Sequence, residues 1–426
     1  MTPTPQDTTT SAGTGPEPVP EHYDVVIVGG AIIGSATAYF LSVHPRFRGS
    51  ILVVERDPTY AHSSTARSAA SIRHQFSRPV NIRLSQFATE CIEHFPKLVE
   101  VDGEVPDLGF RDTGYLFLAA NEHQMAQLRA SHEIQRAEGA AVRLLDRAEV
   151  AARFAHLTTD DLVGASLGER HEGTLDAFGL LQGFRRRARA NGVEYRHDEV
   201  VGIDTEGTFR VGPDGTPHGE GRAAAVRLAS GAVVGCGTVV NAAGPRARWV
   251  AEMVGLRLPV VPRVRSVFAF DCRTPIADPF PLTIDPANVW VRREPPIYLA
   301  GTKPQPDPDA ALDDFAVRHD EWEGRVWPTI AHRIPAFESV KLVRSWAGHY
   351  SVNVLDANAV IGPPPGLANF LFANGFTGHG LQHAAGVGRG LAEWITDGRY
   401  TTIDLGELGY ERVLADEPFL ELAIIA

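Results

Sequence analysis

Short apolar runs along this chain alternate with stretches whose apolar positions recur at helical period, the pattern of strands and helices taken in turn. The first run, Asp24-Val-Val-Ile-Val-Gly29-Gly30-Ala31-Ile-Ile33-Gly34, leads through a glycine turn into a small-residue helix. Ile51-Leu-Val-Val-Glu55 follows as a second strand. Residues 80–100 predict a helix, Gly109 to Ala120 reads as a hairpin, and 121–154 reads as two helices. From Asp176 to Asn191 an amphipathic helix sets Leu180, Leu181, Phe184 and Ala188 on one face. It stops at Gly192, and Val193 opens another strand. Residues 198–240 predict three strands, the last running through Thr238-Val-Val-Asn-Ala242-Ala-Gly244-Pro245 into a glycine turn. Residues 257–330 are proline-rich and strand-like. Phe370–Asn374 makes a late strand, with a glycine-rich turn behind it and a helix to Gly398.

Strand, glycine turn, helix, strand and carboxylate is the order that a dinucleotide-binding βαβ unit needs. The glycines let the strand turn sharply and bring backbone N–H groups and the positive helix end to a pyrophosphate. Glu55 lies 21 residues after Gly34, where a carboxylate at a strand end accepts both hydroxyls of an adenosine ribose. The Gly-x-Gly-x-x-Gly spacing puts its second glycine at 31, and Ala31 stands there. A methyl group is the smallest intrusion and needs no positive φ. These residues point to FAD or NAD. The uncharged stretch Val25–Leu41 is 17 residues long, with three glycines inside and His44, Arg46 and Arg48 behind it. That is marginal for a bilayer span, and a buried strand with a packed helix explains it.

At 426 residues the chain suits two interleaved domains better than one core. An apolar fraction of 44% and a charged fraction of 22% are those of an ordinary globular enzyme. A net charge of −12 argues against nucleic acid and against anionic membrane surfaces as partners. Cys91, Cys236 and Cys272 have no paired spacing, which fits a reducing compartment and excludes a thiolate metal cluster. No His/Asp/Glu cluster has metal-ligand spacing, and no Gly-x-Ser-x-Gly elbow is present. Residues 1–21 are Thr-, Pro- and Gly-rich without an apolar signal region, so they read as a disordered tail on a cytoplasmic protein.

The nucleotide unit, Val240-Asn-Ala-Ala-Gly-Pro245 and Gly375-Phe-Thr-Gly-His-Gly380 stand in the order and spacing of one family. Over roughly residues 22–410 the chain resembles the D-amino-acid-oxidase-like FAD-dependent oxidoreductases, the glycine/sarcosine oxidase and dimethylglycine dehydrogenase-like group. The resemblance implies an α/β fold: a Rossmann-like FAD-binding domain interleaved with a substrate domain on a mixed or antiparallel sheet. The FAD domain is expected at 22–105, 165–255 and 340–410, the substrate domain at 106–164 and 256–339, and a C-terminal tail at 411–426.

It also implies roles. Gly29, Gly30, Ala31, Ile33, Gly34, Glu55 and Arg56 would hold the ADP half, with the Val201 backbone touching the adenine side. Ser63, Ser64, Arg67, Ser68 and Ala69 would line the pyrophosphate and flavin, with Ala242 and Gly244 at the strand-end crevice. Gly378, His379 and Gly380 would meet the flavin's pyrimidine edge, and Gly375, Thr377 and Leu381 complete the cofactor set. A helix N-terminus there favours the anion that reduction creates. Arg73 and His74 resemble a basic pair beside the flavin of sarcosine oxidases. Lys303 falls where those oxidases place a lysine that helps oxygen react, a cation that stabilises a forming superoxide. Gln382 stands where they carry a carboxylate-binding lysine, and it supplies no charge. His349 reads either as a catalytic group facing the ring or as a histidine satisfied by backbone. No cysteine occurs at 346–350, and Arg67 stands near where some relatives carry a flavin-linked histidine, so non-covalent FAD is expected.

The leading expectation is oxidation of a C–N bond in an N-methyl or secondary amine or a D-amino acid. Hydride passes to flavin N5, water hydrolyses the imine, and oxygen or another acceptor reoxidises the flavin. Two alternatives stand beside it. A 2-hydroxy-acid dehydrogenase needs a base beside the substrate, His74 or His349. An FAD-binding assembly factor would bind flavin without turnover.

Overall fold

The computed structural model describes residues 22–274 and 276–422; the expected tail at 1–21 lies outside them. Two eight-stranded sheets organise these residues. The first runs in the order Val360–Gly362, Phe370–Asn374, Val233–Asn241, His22–Val28, Ile51–Glu55, Glu194–His197. Its central strands are parallel: Val26 sits opposite both Leu52 and Val239. Val25, Val26 and Ile27 are at most 1% exposed, as expected of a strand covered on both faces. One face carries the helices Ile32–Ser42, Pro79–Glu93, Ala177–Ala190 and Gly380–Asp397 around a core that includes Phe40, Leu84, Phe184 and Leu391. The last two strands, Gly221–Leu228 paired to Val233–Asn241 and Val200–Gly207 paired to Gly221–Leu228, share a second core with the helix Ala247–Glu252 on the other side.

The second sheet runs Val340–Asn353, Val260–Cys272, Ile297–Thr302, Val289–Glu294, Leu282–Ile284, Tyr115–Ala119, Gly164–Gly168, Val142–Asp146. Its pairings are antiparallel except where Leu282–Ile284 meets Tyr115–Ala119. Phe268, Phe270, Tyr298 and Phe337 fill the core on one face. Among the described residues no helix is long and apolar enough to cross a membrane, and no group of three or more His, Cys, Asp or Glu side chains could hold a metal.

Several expectations shift. Gly109–Ala120 is no hairpin: Tyr115–Ala119 takes its partners from Gly164–Gly168 and Leu282–Ile284, because a strand's alternation names its faces and not its neighbours. The stretch 121–154 holds a helix, the strand Val142–Asp146 and a second helix. Asp146 ends that strand by capping the next helix, accepting from Glu149 N at 2.8 Å while the Glu149 carboxylate accepts from Asp146 N. The stretch 198–240 holds five strands, since a short pair at Arg210–Val211 and Pro217–His218 interrupts it. The domain boundaries move as well. Val340–Asn353 and Gly164–Gly168 belong to the second sheet, where backbone pairing with Val260–Cys272 and Tyr115–Ala119 claims them. The segment 411–422 is no free tail: buried Arg412 binds Asp356 at 2.7 Å, and buried Glu421 accepts from Ser77 and Asn81.

Candidate active site

One cavity of about 570 Å³ takes its lining from both sheets. Gly29, Ala31 and Ile33 enter it from the turn after the first strand. Gly29 has φ of +98°, and a Cβ there would stand 2.6 Å from the Ala242 carbonyl oxygen. At Gly34 a Cβ would fall 1.9 Å from the Gly29 carbonyl, so this glycine packs the helix onto the strand and does not itself line the cavity. Ala31 is the N-cap of Ile32–Ser42 and makes no side-chain capping bond. Ile32 N donates to Thr65 Oγ1 at 3.3 Å, and the Ala31 cap itself takes none of the other first-turn N–H groups.

Glu55 lines the same space. Its Oε2 accepts from Gly30 N and its Oε1 from Asp57 N, each at 2.8 Å. Burial pushes its carboxyl up, and these two backbone bonds oppose that. Each oxygen keeps a second lone pair for a ligand hydroxyl. Arg56, Ser63, Ser64, Arg67, Ser68 and Ala69 continue the wall. Ser64 Oγ donates to His349 O at 2.6 Å, and Arg67 Nη1 donates to Ala347 O at 2.7 Å, which ties this segment to the second sheet.

A second helix start closes the far end. Gly380–Asp397 is N-capped by His379 without a side-chain bond, and Gly378, Gly380 and Leu381 line the cavity. Thr377 has a φ of +48°, costly for a β-branched residue. Its hydroxyl donates to Gly375 O at 3.2 Å and accepts from Asn353 N at 3.1 Å, which holds the turn. A Cβ on Gly378 would stand 2.4 Å from the Tyr350 ring. Two helix N-termini and a ribose-ready carboxylate thus meet one cavity.

The family model for FAD dependent oxidoreductases (DAO) matches residues 24–394. This chain belongs to that family. It is 38% identical to the FAD-dependent oxidoreductase domain-containing protein 1 of Xenopus laevis over 427 residues, which covers 95% of this chain and 85% of that one. Mitochondrial sarcosine dehydrogenase of Homo sapiens is 26% identical, over 90% of this chain and 40% of its own length. Among solved structures, L-proline dehydrogenase from P. horikoshii superposes with a TM-score of 0.79 at 24% identity, covering 94% of this chain and 100% of that one. The fold is therefore the α/β fold expected, and FAD is the family's cofactor. The glycine turns, the helix starts and Glu55 suit it, and the cavity's lining includes both helix starts.

Not every expected residue reaches the cavity. Val201 points to solvent at 52% exposed, and Val200, one step along the strand, lines the wall instead because side chains alternate. Lys303 is exposed and outside the lining. Arg73, His74, His379 and Gln382 form a buried layer outside the lining. Gln382 Oε1 accepts from Arg73 N at 2.9 Å, and Arg73 Nη2 stands 3.3 Å from His379 Nε2. Burial, then the neighbouring Arg73, hold His379 well below the ordinary imidazole range, so it is neutral. His74 meets Thr89 Oγ1 at 2.8 Å, and burial brings it to about 4. Gly30 and Gly375 likewise serve the backbone and do not line the space.

His349 does line it. Its Nε2 lies 2.6 Å from Asp314 O and its ring stacks on Phe315 at 4.4 Å. A carbonyl only accepts, so Nε2 carries the proton and Nδ1 is the remaining acceptor. Residues missed from the sequence include Tyr60, Arg246 and Phe315. Arg246 directly follows the Gly244-Pro245 motif and could have been found there. Phe315 carries no local signal.

Proposed function

We propose that the chain oxidises a C–N bond of an amine or amino acid, an N-methyl or secondary amine or a D-amino acid. One observation carries the reading: the cavity that suits FAD takes part of its wall from four strands of the second sheet, through Val267, Trp290, Thr302 and Tyr350. When bound, FAD supplies a two-electron acceptor for the hydride leaving the carbon next to nitrogen. Trp290 and Tyr350 offer apolar faces to a substrate and exclude water from the site. His349, neutral because burial lowers its pKa, keeps its proton on Nε2 against Asp314 O. An amine that binds neutral needs no protein base, whereas an alcohol would call on the Nδ1 of His349, so the choice between them falls to the test below.

FAD is held non-covalently in this reading, since none of the three cysteines lines the cavity. Acid precipitation should release the yellow colour into the supernatant. The reaction is tested by anaerobic mixing of the purified flavoprotein with pooled D-, L- and N-methyl amino acids. Bleaching of the flavin bands is expected. Bleaching by 2-hydroxy acids alone would overturn the amine reading, and flavin inert to both pools would favour an assembly role. The acceptor is oxygen or another oxidant, and Lys303, outside the cavity, lends oxygen no support. Lys303→Met should therefore leave reoxidation by oxygen unchanged, and slowed reoxidation in a stopped-flow trace would contradict that.

A further inference from the structure

The charge that Gln382, outside the lining, fails to supply has another source in the cavity wall. Arg265 comes from Val260–Cys272, is 6% exposed and lines the cavity beside Tyr350, whose ring lies 5.1 Å from its guanidinium carbon. Its Nε has no hydrogen-bond partner. A buried guanidinium with an unmatched donor is costly unless an anion meets it. Here the anion is the chain's own. Asp307 accepts from both terminal nitrogens, at 2.7 and 2.9 Å, a fork-on-fork pairing like that made by a free carboxylate.

Asp307 belongs to residues 303–318, a strap without regular structure that contributes Leu312, Asp313 and Phe315 to the cavity. Pro304, Pro306 and Pro308 remove three backbone donors from its first half, so side-chain charge holds it there. Asp307 also accepts from Arg263 Nη1 at 3.0 Å. Arg263 is two residues before Arg265 on the same strand face and more exposed, with a side-chain exposure of 22% against 7%. Asp307 can thus leave Arg265 and remain paired outside, without the strap unfolding.

We propose that Arg265 is the subsite for a substrate carboxylate, and that Asp307 occupies it until a substrate displaces it onto Arg263. The inference rests on the amine or amino-acid reading and adds that the substrate bears an anionic group. Burial raises the Asp307 carboxyl, but the hydrogen bonds and charges of Arg265 and Arg263 hold it below the ordinary carboxylate range. It therefore competes as an anion at neutral pH. A tethered competitor lowers apparent affinity by the fraction of molecules in which it is engaged.

The test is a titration of the FAD-loaded protein with acetate, read as a shift in the flavin spectrum, with acetamide and matched sodium chloride as controls. Asp307→Asn should bind acetate about tenfold tighter than the unsubstituted protein or better. Asp307→Glu should restore weak binding, and acetamide should respond to neither change. Arg265→Met, alone or with Asp307→Asn, should abolish the acetate shift. Unchanged or weaker acetate binding in Asp307→Asn would overturn the displacement. Equal binding in the double variant would overturn Arg265 as the subsite. Acetate has no C–N bond and the readout needs no turnover. An inert amine pool together with the expected acetate series would sink the reaction and leave the subsite standing.

Discussion

Single positions decide whether this fold can hold a dinucleotide. Glu55 is held by one backbone N–H per oxygen, so it is fixed before any ribose arrives and still has a lone pair on each oxygen to offer. Glu55→Arg places a cation against two backbone donors in a buried site. FAD affinity should fall about a hundredfold or more, seen as a colourless purified protein; protein that stays yellow would remove Glu55 from the site. The alternation at 200 and 201 gives a sharper contrast. Val200→Asp is expected to reduce flavin content and cost about 2 kcal/mol of stability by burying an unpaired carboxylate. Val201→Asp, at a position 52% exposed, should do neither in the same denaturation and absorbance assays.

Helices act here by where they begin and how closely they pack. Ile32–Ser42 and Gly380–Asp397 lie side by side, so both positive ends reach the cavity. Gly388 makes that approach possible: a Cβ there would meet the Ala36 carbonyl carbon at 2.7 Å, backbone that cannot yield cheaply. Gly388→Val should separate the helices, lower stability by about 2 kcal/mol and reduce flavin retention together. Normal FAD content with lowered stability would show that the helix ends tolerate the shift. The capping box at Asp146 and Glu149 lies far from the cavity. Asp146→Ala should cost about 1 kcal/mol in a denaturant titration and leave the flavin spectrum alone.

The two sheets are joined by a buried polar layer, and that layer carries a pH dependence. Glu172 accepts from His74 N at 2.7 Å and from Gln75 Nε2 at 2.9 Å, and Gln75 also reaches Tyr115 O and Ser166. Burial pushes the Glu172 carboxyl up to about 7, against hydrogen bonds and Arg73 that favour its charge. The folded protein then keeps a proton that the unfolded chain, with an ordinary value of 4.5, gives up. Stability from this group is present below about 4.5 and falls as pH rises towards 7, by about 3 kcal/mol in total. Glu172→Gln should flatten that limb of the melting-temperature profile between these values, and an unchanged slope would assign it to other groups.

Much of the candidate site's framework was legible in local order. Asp24 to Gly34, Glu55 and Gly375 to Gly380 are contiguous, and a turn's steric demand is written where the turn is. So was the helix at Ala177–Ala190, with its Asp176 cap accepting from Phe178 N at 2.9 Å. What pairs across long separations was not. Tyr115 finds Gly168 and Leu282, Arg263 finds Tyr350, and Asp307 reaches Arg265 only because the second sheet closes. Glycine spacing and amphipathic period are properties of neighbouring residues, so the chain's order determined the strand–glycine turn–helix units and their helices. Strand partners, the side of the wall that Val200 or Lys303 occupies, and the carboxylate that meets a buried arginine are set by long-range packing, and only the folded structure decided them.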